Sequence, residues 1–298
     1  MLILVNGNAN AGRGAARWER VGRELRARGV RFEARATSSA DEAASMLDGH
    51  DVVVAAGGDG TVNGVLNAMI ARGSTAALGA IGLGSSNDFH KPFGETIAGV
   101  PVRIDSGRAR PVDVGRATIV DTLGRTRTRW FCLNASVGLV AEGNAFFNTA
   151  DPALVWLKRR SVDAAILYAA LVNLVRFRPV RAAVRLDHAP ARLRPFASLG
   201  ILKKVHFAGG MRYDTPVQPD DGLFDVNLWG RTERASLVRT LANLLQGRFL
   251  GLPGARTWRA RHVRIEPERP VHLELDGEVM KIACAELEVV PKALRVCG

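Results

Sequence analysis

Short apolar runs alternate with helix-type patterns over the first hundred residues. Residues 2–5, 52–55 and 77–81 are runs of consecutive apolar side chains, which is typical of strands buried on both faces. Between these runs the pattern predicts a further strand over 30–36 and helices over 15–28, 40–47 and 61–71. This alternation predicts a parallel sheet covered by helices.

The pattern changes after about residue 110, where short strand-like runs are separated by Gly, Pro and Asp. These runs cover 129–133, 182–186, 223–228, 263–265, 271–275 and 287–290. They favour a second, mostly antiparallel domain. A long helical pattern over 152–176 and a shorter one over 235–245 interrupt the strands.

Composition and charge narrow the class of protein. The chain has 298 residues, 47% of them hydrophobic, so it can bury a sizeable core and is not disordered. Its three cysteines, at 132, 284 and 297, are too few for a disulfide framework or a zinc site, which favours a reduced, cytoplasmic compartment. No signal peptide is evident, and the longest apolar stretch, 164–175, is too short to span a bilayer. The net charge of +12 either attracts an anionic partner or reflects arginine-rich composition.

Glycine-rich polar loops follow three of the predicted strands. The strongest is 57–63 (GGDGTVN), where glycines admit a phosphate close to the backbone and Asp59 can orient Mg²⁺. The others are 84–89 (GSSNDF) and 8–14 (NANAGRG), and each loop alone is also compatible with an ordinary turn. Because ligands of such sheets bind at the carboxyl ends of strands, the three loops together predict one nucleotide phosphate site.

On these motifs the chain resembles the diacylglycerol-kinase-type lipid kinases, which include sphingosine and ceramide kinases, and above all their soluble bacterial members. Loop 8–14 is similar to the family's N-P-x-S-G-x-G, loop 57–63 matches GGDGT-x-N, and loop 84–89 is similar to G-T-[GA]-N-D-[FL]. Further family-like segments follow in the same order at 134–138, 209–211, 219–225 (PDDGLFD) and 276–278 (DGE). The resemblance therefore covers nearly the whole chain.

The resemblance implies an α/β + β fold. Residues 1–115 are expected to form a Rossmann-like nucleotide domain of the phosphofructokinase and NAD-kinase type, to which the last strand, about 286–298, returns. Residues 116–285 are expected to form a C-terminal β-sandwich that receives the lipid.

The resemblance also implies roles for individual residues. Glu278 is the expected general base, Asp276 supports it, and Asp59 is the rival base. Asp59 and Asp88 are expected to organise catalytic Mg²⁺, while Asp221 and backbone oxygens of Gln218 and Leu223 are expected to hold a separate structural Mg²⁺. The expected ATP contacts are Asn8, Gly12, Thr37, Gly57, Gly58, Asp59, Gly60, Thr61, Asn63, Ser85 and Asn87. Without the resemblance, Asp276 and Glu278 would be assigned to a solvent-facing hairpin turn.

One departure from the family pattern leaves alternatives open. Gly64 stands where the family has Glu, so a nucleotide-binding regulatory protein without kinase activity is the main alternative. NAD kinase, which shares GGDG, is less favoured because its later substrate loops are missing. The preferred prediction is a lipid kinase that transfers the ATP γ-phosphate to a hydroxyl of a membrane lipid of the diacylglycerol or long-chain-base type.

The basic and aromatic stretch 156–178 bears on partners. It is similar to a basic-aromatic helix of the family. It predicts a cytoplasmic protein that makes peripheral contact with the anionic surface of the inner membrane face. A core helix with a solvated basic face is the equally weighted alternative. No helix-turn-helix, zinc-finger or RNP motif supports nucleic-acid binding. A homodimer is compatible with the sequence, which carries no indication of oligomeric state.

Overall fold

The computed structural model describes residues 1–10 and 12–298, and Ala11 of the first glycine-rich loop lies outside the described residues. The chain divides into two compact units. Unit 1 comprises Met1–Asp113 together with Lys292–Gly298, and unit 2 comprises Val114–Pro291.

Unit 1 is built on a parallel sheet with the strand order β2-β1-β3-β4. Its strands are β1 (Leu2–Val5), β2 (Glu33–Ala36), β3 (Val52–Gly57), β4 (Ala77–Gly82), β5 (Thr96–Ile97) and β6 (Val100–Arg103). Its helices are α1 (Gly14–Ala27), α2 (Ala40–Ala44) and α3 (Asp59–Ala71), with 3-10 turns at Asp88–His90 and Ser106–Arg108. Every residue of β1, β3 and β4 is buried, which confirms the prediction from the apolar runs.

β4 has further neighbours beside β3. Ala80 and Ile81 pair with the antiparallel strand β6. Ala77 and Leu78 pair in parallel with Arg295 and Val296, which end the last strand of the chain.

Unit 2 is mostly antiparallel, as predicted. Its strands are β7 (Arg110–Asp121), β8 (Thr126–Phe131), β9 (Asn134–Gly138), β10 (Val180–Leu186), β11 (Arg192–Phe196), β12 (Ser198–Leu202), β13 (His206–Phe207), β14 (Met211–Arg212), β15 (Phe224–Trp229), β16 (Ala255–Ala260), β17 (His262–Pro267), β18 (Val271–Leu275) and β19 (Glu278–Val296), of which β7 and β19 continue into unit 1. β9 pairs antiparallel with β12 and β18, β12 with β15, and β17 and β18 with β19. These strands share one apolar core, in which the rings of Phe131 and Phe224 stack with centroids 5.6 Å apart.

The prediction of one helix over 152–176 is wrong. The structure has two helices there, α5 (Pro152–Arg160) and α6 (Val162–Arg176), besides α4 (Leu139–Phe147) and α7 (Arg234–Leu245). Ser161 breaks the pattern because it adopts an extended conformation with φ −152° and its side chain accepts the N–H of Ala164. A serine in this geometry caps a new helix rather than continuing the old one. Within the described residues, no helix is long and apolar enough to cross a membrane.

Candidate functional site

The loops after β3 and β4 are in backbone contact in unit 1. The carbonyl oxygen of Gly57 accepts the N–H of Leu83 at 2.8 Å and that of Gly84 at 3.2 Å. A Cβ atom on Gly84 would lie 2.6 Å from the Cα of Gly58, closer than real Cβ atoms come to another atom. The approach of the two loops therefore requires glycine at position 84.

Asp59 links the same two loops through its side chain. Its Oδ2 accepts the N–H of Asp88 at 3.0 Å, and its Oδ1 accepts the N–H of Phe89 at 2.9 Å. The Oδ1 of Asp88 in turn accepts the ammonium of Lys91 at 2.6 Å. The two carboxylates predicted to organise Mg²⁺ thus belong to one cluster, and protein donors engage each of them.

The first glycine-rich loop is tied to the other two. Asn6 donates from Nδ2 to Thr61 Oγ1 at 3.1 Å, and its own Oδ1 accepts the N–H of Asn8 at 3.1 Å. Arg17 of α1 donates to the carbonyl oxygen of Gly84 at 2.9 Å. Neither Asn6 nor Arg17 was predicted as a site residue from the sequence, although Asn6 directly follows a buried strand.

The predicted nucleotide contacts fall into two groups. Asn8, Gly12, Gly60 and Ser85 are exposed and can meet a ligand, whereas Thr37, Asn63, Asn87 and Gly57 are buried; Gly58, Asp59 and Thr61 are intermediate. Asn63 Oδ1 accepts a hydrogen bond from Asn67 at 3.0 Å, and the Nδ2 of Asn87, a residue with φ 49°, donates to Gly84. The side chain of Asn87 therefore holds its own loop, whereas that of Asn63 bonds within α3.

Gly64, the departure from the family pattern, occupies an open position on α3. A Cβ atom there would meet one neighbour within 4 Å, the Cβ of Ala40 at 3.9 Å, which is an ordinary van der Waals contact. The fold of unit 1 therefore does not require glycine at this position.

A buried aspartate organises an acidic turn in unit 2. Asp276, which lies between β18 and β19 with φ 49°, is 3% exposed. Its carboxylate accepts three backbone N–H groups, those of Cys132 at 2.8 Å, Leu133 at 2.9 Å and Asn134 at 3.0 Å. Asp276 therefore fixes the turn from which Glu278 projects.

Glu278 is the first residue of β19 and has a raised pKa. Its side chain is accessible to solvent, yet surrounding protein atoms desolvate the carboxylate and raise its pKa above the ordinary value. The charge of Asp276 raises the pKa further, and the charge of Arg129 opposes both effects. A carboxylate with a raised pKa is a better proton acceptor than an ordinary one.

The three oxygens predicted to hold a structural metal surround a lysine instead. The ammonium of Lys203 donates to the carbonyl oxygens of Gln218 and Leu223, both at 2.9 Å, and to Asp221 Oδ1 at 3.2 Å. Arg259 contacts the other carboxylate oxygen of Asp221. No motif around Lys203 in the sequence predicts that its side chain reaches these oxygens.

Comparison with known proteins covers both units. Residues 1–117 match the family model of the diacylglycerol kinase catalytic domain, and residues 143–298 match that of the YegS C-terminal NAD kinase beta sandwich-like domain. The "Probable lipid kinase YegS-like" of Stenotrophomonas maltophilia is 30% identical over 91% of this chain and 88% of its own. The diacylglycerol kinase of Bacillus subtilis is 25% identical over 88% and 82%. The crystal structure of a Bacillus anthracis diacylglycerol kinase, 16% identical, superposes with a TM-score of 0.67 over 99% of this chain and 95% of that one, which shows a shared fold.

Proposed function

Because the chain belongs to the family of YegS-like lipid kinases and diacylglycerol kinases, we propose that it phosphorylates a hydroxyl of a membrane lipid of the diacylglycerol or long-chain-base type. Members of this family are ATP-dependent phosphotransferases, and this chain is therefore one as well. The class of lipid that it phosphorylates is what we propose. The observation that supports it most is the joined set of glycine-rich loops in unit 1, in which the exposed predicted contacts are glycine, serine and asparagine, residues small enough to admit a phosphate.

The loops are proposed to bind the phosphates of ATP. Helix α3 begins at Asp59, directly after Gly57 and Gly58, so its positive end lies at these loops. The N-terminus of a helix favours anions through its backbone N–H groups and its dipole. Asn8, Gly60 and Ser85 are the exposed residues proposed to contact the nucleotide.

Glu278 is proposed to be the general base. Its carboxylate takes the proton of the lipid hydroxyl while the hydroxyl oxygen bonds to the γ-phosphorus and the bond to ADP breaks. Asp59 is the weaker candidate, because both of its carboxylate oxygens already accept backbone N–H groups. The raised pKa of Glu278 favours the same assignment.

Asp59 and Asp88 are proposed to hold Mg²⁺ together with the phosphates of ATP. Their carboxylates belong to one hydrogen-bonded cluster, and carboxylate oxygens are the protein ligands that Mg²⁺ prefers. Bound Mg²⁺ would neutralise phosphate charge as it develops during transfer. The same two residues also join the loops after β3 and β4 through the hydrogen bond from the N–H of Asp88 to the Asp59 carboxylate.

Helices α5 and α6 are proposed to rest on an anionic membrane surface. Trp156, Leu167, Leu171 and Val175 are each more than half exposed. The guanidinium of Arg160 lies 4.2 Å from the centre of the Trp156 ring, so basic and apolar groups share this surface. Interfacial helices combine these features. In a flotation assay, the protein should float with phosphatidylglycerol vesicles, and much less of it should float with neutral phosphatidylcholine vesicles. Equal amounts in the two vesicle fractions would contradict the proposal.

The function is tested by ATP turnover with Mg²⁺ against diacylglycerol, ceramide, sphingosine, phosphatidylglycerol and NAD. We expect phosphate transfer to one lipid class, and a decrease of about 10²-fold or more in Glu278→Ala. Glu286→Ala, a change at an exposed residue of the same strand, is the matched control. ATP binding without transfer to any lipid would support the regulatory alternative, and transfer to NAD would support NAD kinase.

A further inference from the structure

The side chain of Lys203 ends in a cage of oxygen atoms within unit 2. An ammonium group has three N–H donors, and Gln218, Asp221 and Leu223 supply one acceptor each. The side chain is 1% exposed, so the charge is removed from water and its donors are met by protein oxygens. An interior lysine is stable only with such partners.

The distances fit an ammonium and not a divalent metal. The three oxygens lie 2.9, 2.9 and 3.2 Å from Nζ, which is the range of N–H···O hydrogen bonds. Mg²⁺ binds oxygen at about 2.1 Å and Ca²⁺ at about 2.3–2.6 Å. A metal at this point would have to displace the lysine and draw the oxygens inward.

The local charge also disfavours a metal. Lys203 and Arg259 both contact Asp221, so two cations already neutralise its carboxylate. A divalent metal ion placed here would be repelled by Lys203 and Arg259, and little negative charge would remain to balance it.

We propose that Lys203 is a built-in cation that replaces the structural metal expected between Gln218, Asp221 and Leu223. The ammonium joins the end of β12 to the segment 218–223 through the oxygens that the resemblance assigned to Mg²⁺. The segment is therefore held in the absence of any divalent metal. This inference concerns unit 2 alone and does not depend on which lipid is phosphorylated.

The first test uses the unmodified protein without nucleotide. Its melting temperature is measured by calorimetry after EDTA treatment and again in millimolar Mg²⁺ or Ca²⁺. We expect the same value in all three conditions. A rise in metal that disappears in Asp221→Ala would overturn the proposal, because it would place a metal at this carboxylate.

The second test removes the ammonium. Lys203→Met should melt about 10 °C lower, because it removes a buried cation and leaves its oxygen partners without their donor. Lys281→Met removes an exposed lysine of β19 in the same unit and should change the melting temperature little. Equal melting of the two variants would overturn the proposal.

The third test asks whether the oxygens form a cation site once the lysine is shortened. Lys203→Ala should melt lower in EDTA and recover part of the loss in Mg²⁺ or Ca²⁺, since Asp221 and the two carbonyl oxygens remain. The double variant Lys203→Ala/Asp221→Ala should show no recovery. Absence of recovery in the single variant would contradict the assignment of these oxygens as a cation site.

Discussion

The glycine-rich loops of unit 1 and the charged clusters of unit 2 are held in different ways. In unit 1, Gly84 lies so close to Gly58 that a side chain at position 84 is excluded, and backbone hydrogen bonds join the loops. In unit 2, Asp276 and Lys203 are buried charged side chains that collect backbone groups distant in the sequence. The first arrangement depends on residues that are small, and the second depends on single residues that carry charge.

The largest effect is expected for Asp276→Asn, which tests whether the charge holds the acidic turn. Asparagine tolerates a positive φ, so the change isolates the loss of carboxylate acceptors for three N–H groups. The free energy of unfolding should fall by about 4 kcal/mol, measured by denaturant titration. Asp220→Asn, at an exposed residue, is the control. If the two variants were equally stable, the claim that the charge of Asp276 holds the acidic turn would be contradicted.

The next effect is expected for Gly84→Ala, which tests whether the contact between loops requires glycine. The added methyl would lie 2.6 Å from Gly58 Cα, so one loop must move. Because a misplacement of about 1 Å can cost about 10²-fold in rate, we expect a decrease of about 100-fold in kcat/KM for ATP. Gly94→Ala, where nothing lies within 4 Å, should retain activity. Unchanged kcat/KM for ATP in Gly84→Ala would contradict the claim that the contact between the loops requires glycine at position 84.

A smaller effect of opposite sign is expected for Gly64→Ala. The position is helical and open, so alanine should stabilise unit 1 by about 1 kcal/mol. Gly73→Ala, also in open space but at φ +62°, should instead destabilise, because alanine is strained there. The melting temperatures of the two variants distinguish Gly73, where the backbone conformation requires glycine, from Gly64, where it does not. A loss of stability in Gly64→Ala would show a requirement that the local packing does not reveal.

The smallest effect is expected in the pH dependence of turnover. If Glu278 is the base, activity falls as the pH drops through its raised pKa, because the protonated acid cannot accept a proton. The charge of Arg129 lowers that pKa, so Arg129→Met should move the acidic limb of the kcat profile to higher pH. Arg127→Met, on the same exposed strand, is the control. A limb that stays in place would count against Glu278 as the titrating group.

The contrast between the units also explains what could be predicted from the sequence. A glycine-rich loop is visible as a pattern of neighbouring residues, so the polar loops of unit 1 could be placed at strand ends. The three N–H partners of Asp276 lie more than 140 positions away from it, and no local pattern indicates such a contact. Lys203 likewise meets Gln218 and Leu223 only because β12 and β15 pair.

The helices show the same limit at smaller scale. The apolar and basic pattern over 152–176 is continuous, so periodicity predicts one helix, while the side chain of Ser161 starts a second one. Helix α4, which the sequence analysis did not predict, has only nine residues, too few for a clear periodicity.

The pairing of β4 with Arg295 and Val296 has a consequence for biosynthesis. The ribosome makes β4 early, but the segment that completes this edge of unit 1 follows the whole of unit 2. At about 5–20 residues per second, the apolar strand waits about ten to forty seconds for that partner. During translation the nascent chain therefore carries an unfinished sheet edge, which is the kind of surface that chaperones bind.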